Sequence, residues 1–204
     1  MKVGDIISEV DLVGNNIFPL ETAKRYLAQA TPNGTLGEFN IMYAEFSAGD
    51  IIQIAIILTD TEENIAAYAG FVSRLNGRVW QARAAASYPP YAGQALVGKL
   101  YKHIKDVLKK SIQSDDTQTL AGKKLWTKTL PGLGLFPMIL DTQTHHIYDP
   151  KGNGKDINVY PPQDDPNVSR YIWILEKFDR YHQQNTLTEG LLMPYTNLWY
   201  VQPQ

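Results

Sequence analysis

Apolar positions along this chain change period several times, and each change marks an element. From Pro19 to Ala30, Leu20, Ala23, Tyr26 and Leu27 share one face and Glu21, Lys24 and Arg25 the other, which predicts a short helix stopped by Thr31-Pro32-Asn33-Gly34. Three β-type runs follow, Ile51 to Thr59, Ile65 to Leu75 and Arg78 to Ser87, rich in β-branched and aromatic residues. Asp60 to Asn64 links the first two, and Asn76-Gly77 is a strong hairpin signal between the second pair, so an antiparallel meander is expected. The alanines at 66, 67 and 69 keep a helix over Thr61 to Arg74 open as a competing reading.

After Tyr88-Pro89-Pro90-Tyr91 the period becomes helical. Leu96, Val97, Leu100, Tyr101, Ile104, Val107 and Leu108 form one stripe, and Lys99, Lys102, Lys105, Lys109 and Lys110 lie mostly opposite. A shorter helix is predicted over Leu120 to Leu130, ended by Pro131-Gly132. Phe136 to Leu140 and His145 to Tyr148 read as paired strands about the turn Asp141-Thr142-Gln143-Thr144. Asp149 to Pro166 is dense in Pro, Gly, Asn and Asp and reads as loop. Tyr171 to Phe178 reads as a strand, with a helix starting at Asp165-Pro166 as the alternative. The aromatic tail, residues 181 to 204, is expected to dock on the domain or a partner.

Composition narrows the class. With 204 residues, 44% hydrophobic and 20% charged, one globular α/β (α+β) domain over residues 1 to 204 is expected, with a mostly antiparallel sheet flanked by helices. A net charge of -2 gives no field that would draw the chain to nucleic acid. The lack of cysteine removes disulfides, thiolate zinc sites and a cysteine nucleophile. The N-terminus lacks the pattern of a signal peptide, and Ile54 to Leu58 is too short to span a bilayer, so no membrane partner is expected.

The segment Ala84-Ala85-Ala86-Ser87-Tyr88-Pro89-Pro90-Tyr91-Ala92-Gly93-Gln94-Ala95-Leu96-Val97-Gly98-Lys99-Leu100-Tyr101 is similar to the stretch of the Gcn5-related N-acetyltransferases (GNAT superfamily) where a strand ends in a proline-containing turn and a glycine-rich loop opens a helix. The order meander, turn, long helix, short helix, further strands also resembles that core, over residues 50 to 180, with residues 1 to 49 supplying an opening strand and helices. Ser114-Asp115-Asp116-Thr117 leading to Gly122-Lys123-Lys124-Leu125-Trp126 resembles a version of the fold found in tailed-bacteriophage proteins.

The resemblance implies acetyl-CoA as cofactor, with its pyrophosphate at the helix N-terminus, where unpaired N–H groups and the dipole face an anion. It carries Ser87, Tyr91, Gly93, Gln94, Ala95, Val97 and Gly98 over as the cofactor-binding set. Against the family pattern Gln/Arg-x-x-Gly-x-Gly/Ala, Ala92 stands at the first position, Ala95 at the first glycine and Val97 at the last. Ala95 is a mild departure if its φ is negative. Val97 would crowd a phosphate unless Gly98 takes the role, so V97G is expected to strengthen binding. The family's tyrosine acid falls on Trp126, a poor acid. The strand Arg78 to Ser87 carries Gln81 and Arg83 but no carboxylate, leaving Glu62 and Glu63 as the candidate bases.

Other constellations read as structural. His145-His146 would point to opposite faces of a strand, so no metal site is assigned. Asp149 to Asp156 fails as a calcium loop, with Lys151 at a ligand position and Tyr160 at the closing one, and it fails as a P-loop. The lysine row, with His103, reads as a solvated face that could also steer an anion. Two functions stay open: a phage-encoded, acyl-CoA-dependent N-acyltransferase acting on a small-molecule or protein amine, or a non-catalytic GNAT-fold virion protein or interaction module. The first places the chain in the host cytoplasm, the second in the virion beside other virion proteins, and a homo-oligomer is compatible with both.

Overall fold

The computed structural model describes residues 20–74, 77, 79–115, 120–159, 161, 165–167 and 169–176. The expected Asn76 turn, the strand start at Arg78, Asp116, Thr117, Tyr160 and the tail from residue 177 lie outside the described residues. Helix α1 (Leu20–Leu27) leads into β1 (Thr31–Leu36), β2 (Phe39–Ala48), β3 (Ile51–Thr59), β4 (Ile65–Arg74) and β5 (Val79–Ser87). Then come α2 (Leu96–Asp106), β6 (Ser111–Gln113), and α3 (Leu120–Lys124), which runs on through a π-helical turn (Leu125–Thr129) into α4 (Leu130–Gly132). Strands β7 (Met138–Asp141), β8 (Ile147–Tyr148) and β9 (Tyr171–Leu175) close the described chain.

All nine strands among the described residues join one open sheet in the order β1-β2-β3-β4-β5-β6-β9-β7-β8. Every pair is antiparallel except β5 with β6. The fold is therefore mixed α+β, and β4 follows the strand reading from Ile65 over the helical reading of Thr61 to Arg74. Burial decides this: Ala66, Ala67 and Ala69 are fully enclosed, where alanine lets helices approach the sheet closely. The first 49 residues depart from expectation, since the turn read at Thr31-Pro32-Asn33-Gly34 is strand β1 and a second long strand follows. Glycines at 37 and 49, with φ of 62° and 64°, make the tight turns on either side of β2.

The two sheet faces carry separate cores. Phe39, Ile41, Ile54, Ile56, Leu58, Ala67, Ala69, Phe71, Trp80 and Ala82 pack with Leu96, Leu100, Tyr101 and Ile104 of α2 and with Trp126 and Leu130. Ala44, Ala55, Ile57, Tyr68 and Ala86 on the other face pack with Ala23 and Tyr26 of α1. Each large apolar side chain fully buried in this way contributes on the order of 2 kcal/mol. Gly98 of α2 sits against the 120–132 helix so closely that an added Cβ would lie 2.8 Å from Thr129 Cγ2 and 2.9 Å from Leu133 Cδ1. Among the described residues no helix is long and apolar enough to cross a membrane.

Candidate functional site

Strands β5 and β6 run parallel but pair at only three positions, Val79 with Ser111, Trp80 with Ile112 and Gln81 with Gln113. Beyond Gln113 the chain leans toward β9: Ser114 N–H donates to Trp173 O at 2.8 Å, and Trp173 N–H donates to Ser114 Oγ at 3.0 Å. Among the described residues Ala82 to Ser87 of β5 thus pair only with β4, and the sheet parts at this point. A bulge reinforces the parting, since Gly70 faces Ala84 and Phe71 faces Ala82, leaving Arg83 without a partner across the strand. Arg83 Nη1 donates to Asp115 Oδ1 at 2.9 Å, the first side-chain contact across the split, with both side chains 22% exposed.

The walls of the split follow from register. Ala85 and Ser87 oppose Ala69 and Ala67, so they lie on the α2 face. Ala85 is exposed, so the sheet opens to solvent there. Ser87 Oγ is buried and finds no hydrogen-bond partner, as does Trp173 Nε1 on β9 beside Ser114. A buried polar atom left unpaired costs about 1–3 kcal/mol.

Residues 88–95 carry the chain from β5 to α2. Tyr88 N–H donates to Ala66 O at 2.9 Å and Tyr91 N–H to Tyr88 O at 2.8 Å. The Tyr91 hydroxyl donates to Asp60 Oδ2, and its ring meets Phe39 edge-on with centroids 5.6 Å apart. Asp60 also accepts from the backbone N–H groups of Glu62 and Asn64, at 2.9 and 2.8 Å. The Tyr91 and Asn64 hydrogen bonds hold its carboxyl at about 2, well below the ordinary value. The β3–β4 turn is thereby latched to the loop that opens α2.

The carried-over residues fall into three groups. Gly93 and Gln94 are exposed on the loop, and Tyr91 serves the latch. Ala95 precedes the helix with φ 55°, so its methyl is not the mild departure expected of a negative φ; the position is left-handed, where glycine fits best. No side chain caps α2. The first intrahelical bond there, Lys99 N–H to Ala95 O at 3.0 Å, leaves the N–H groups of residues 96–98 for another acceptor. The side chain of Val97, 7% exposed, is turned into the core, and Gly98 faces Thr129 and Leu133. Neither crowds an approaching anion, and V97G would open a cavity in the core instead of improving a cradle.

Glu62 and Glu63 sit exposed on the β3–β4 turn, at the Ser87 end of the split, with Glu63 at φ 64°. The structure brings them beside the 88–95 loop through Asp60 but leaves them at its rim. Trp126 is 2% exposed and packs edge-on against Tyr101 with centroids 5.8 Å apart. Burial, aided by the Asp115 charge, pushes the Tyr101 phenol far above its ordinary value.

Most of the lysine row is engaged within the chain. Lys102 Nζ pairs with Asp106 Oδ2 at 2.7 Å, Lys105 Nζ lies 3.6 Å from Asp106 Oδ1, and Lys110 Nζ donates to Gly77 O at 2.6 Å. His145 and His146 belong to the turn, because β8 starts at Ile147. Asp149 to Asn153 is a tight turn in which Asp149 N–H donates to Asn153 Oδ1 at 2.8 Å and Lys151 N–H to Asp149 Oδ1 at 2.8 Å.

Sequence reasoning passed over Asp60 and the Arg83–Asp115 pair. Asp60 had a local signal, an aspartate opening a polar turn. The Arg83–Asp115 contact had none, because a bulge and a three-residue parallel strand leave no period in the sequence. Compared with models of known protein families the chain matches none, and no curated protein matches it.

Proposed function

We propose that the protein binds acyl-CoA in the split between β5 and β6 and transfers the acyl group to an amine, as a GNAT-like N-acyltransferase. The observation that carries this reading is the parting of a parallel strand pair whose β5 continues through residues 88–95 into an uncapped helix N-terminus. Such an end supplies N–H donors and a positive dipole for the pyrophosphate. The edge of β5 from Ala82 to Ser87, unpaired among the described residues, offers backbone groups to an extended, amide-bearing arm, in the manner of strand addition. What supports the resemblance is the order of meander, loop, long helix, short helix and further strands, with the short strand β6 inserted after the long helix. Fold likeness alone warrants little about activity, so the weight rests on the site.

One observation favours a second reading, a non-catalytic GNAT-fold virion component or interaction module of a bacteriophage. Trp126 fills the core where the resemblance puts a tyrosine acid, so nothing at that position can protonate a thiolate. Melting in the presence of acetyl-CoA separates the two. A ligand confined to the native state at a hundred times its Kd stabilises by about 2.7 kcal/mol. The acyltransferase reading predicts a melting temperature several degrees higher at millimolar acetyl-CoA, and an unchanged melting temperature contradicts it.

A further inference from the structure

We propose that Asp115 receives the acceptor amine, as the anion that draws an ammonium group to the throat of the split and as the base that takes its proton. This rests on the acyl-CoA reading above. With the phosphates at the amino end of α2, an acyl thioester extending along β5 from Ser87 toward Arg83 ends where the strands meet. Asp115 stands there, one residue past the last contact with β9 through Ser114. Its carboxylate reaches across to Arg83 at 2.9 Å, and at 22% exposed it is open to solvent. Glu62 and Glu63, on the turn beside the mouth, are at the other end of that path.

The chemistry needs an anion at this place. An alkyl ammonium carries its proton at neutral pH and cannot attack until it is lost. The Arg83 guanidinium lies 2.9 Å from the Asp115 carboxylate, and an incoming ammonium shares that carboxylate. Acyl-CoA filling the split expels water from around the pair and holds the amine against the carboxylate. One ammonium proton passes to Asp115, the nitrogen then bonds to the thioester carbonyl carbon, and the carbon–sulfur bond breaks. The second N–H proton leaves as the amide forms and reaches the departing thiolate through water.

Because the chain has no cysteine, free thiol released from acetyl-CoA reports the reaction against no protein background. The test uses acetyl-CoA with propylamine, spermidine or a lysine-rich peptide. Wild type is expected to release thiol with at least one of them, and kcat/KM should show an acidic limb. D115N should keep the acetyl-CoA melting shift while releasing thiol about 100-fold more slowly, the scale of a lost general base. If D115N does not fold, D115E carries the test: at retained melting temperature its acidic limb should shift. A D115N rate like wild type, an unmoved limb in D115E, or a melting shift in wild type with no thiol released to any amine overturns the proposal. Absence of the melting shift instead removes the acyl-CoA reading, and this proposal with it.

Discussion

Asp141 is fully buried at the end of β7, and its neighbours explain how a charge survives there. Arg170 donates to Asp141 Oδ2 through Nη2 at 2.8 Å and Nε at 3.1 Å, while Gln143 and Thr144 N–H groups donate to Oδ1 at 2.9 and 3.2 Å. Burial works to raise the carboxyl, but these donors overcome it and hold it at about 2. A carboxyl depressed on folding adds stability that is complete above its unfolded value near 4 and drains away as pH falls toward 2. D141A is therefore expected to cost on the order of 2–3 kcal/mol in urea unfolding at pH 7. The same substitution should cost much less near pH 2, where wild type has lost the benefit too. The pair fixes the β7–β8 turn to the start of β9, and β9 in turn holds Ser114 at the split.

Among the elements, α2 is the one whose placement sets the site, and Gly98 sets how closely it meets the 120–132 helix. G98A would gain roughly 1 kcal/mol of helix propensity but must displace Thr129 and Leu133, an overpacking cost of about 1–3 kcal/mol. A net loss of about 1 kcal/mol is expected in thermal or urea unfolding. The elements also differ in how readable they were. Strands β3 to β5 and helix α2 were legible because Ile51 to Thr59 and Leu96 to Leu108 carry dense apolar patterns. Strand β1 was read as a turn because its six residues are almost wholly exposed and contain Pro32, Asn33 and Gly34. It pairs as an edge strand, where proline is tolerated. Strand β2 buries Phe39 and Ile41 on one face and Ala44 on the other, which blurs the alternation a one-faced strand shows. The three residues of β6 are too few to leave any pattern.

At the scale of the whole molecule, the nine strands of the described residues form one sheet, in which β5 and β6 part after three paired positions. The loop at its mouth was marked in the sequence by Tyr88-Pro89-Pro90-Tyr91 and Gly93, which locate the turn into α2. The throat was not marked, because Arg83 and Asp115 are 32 residues apart and meet only through the bulge in β5 and the turn after β6. An acyltransferase built this way must hold CoA in that parting. Amide hydrogen exchange with and without CoA measures this directly. CoA should slow exchange in residues 83–87 and 96–98 while leaving β1 and β2 unchanged. Exchange unaltered in both of those segments at saturating CoA, or slowed only elsewhere on the sheet, would contradict it.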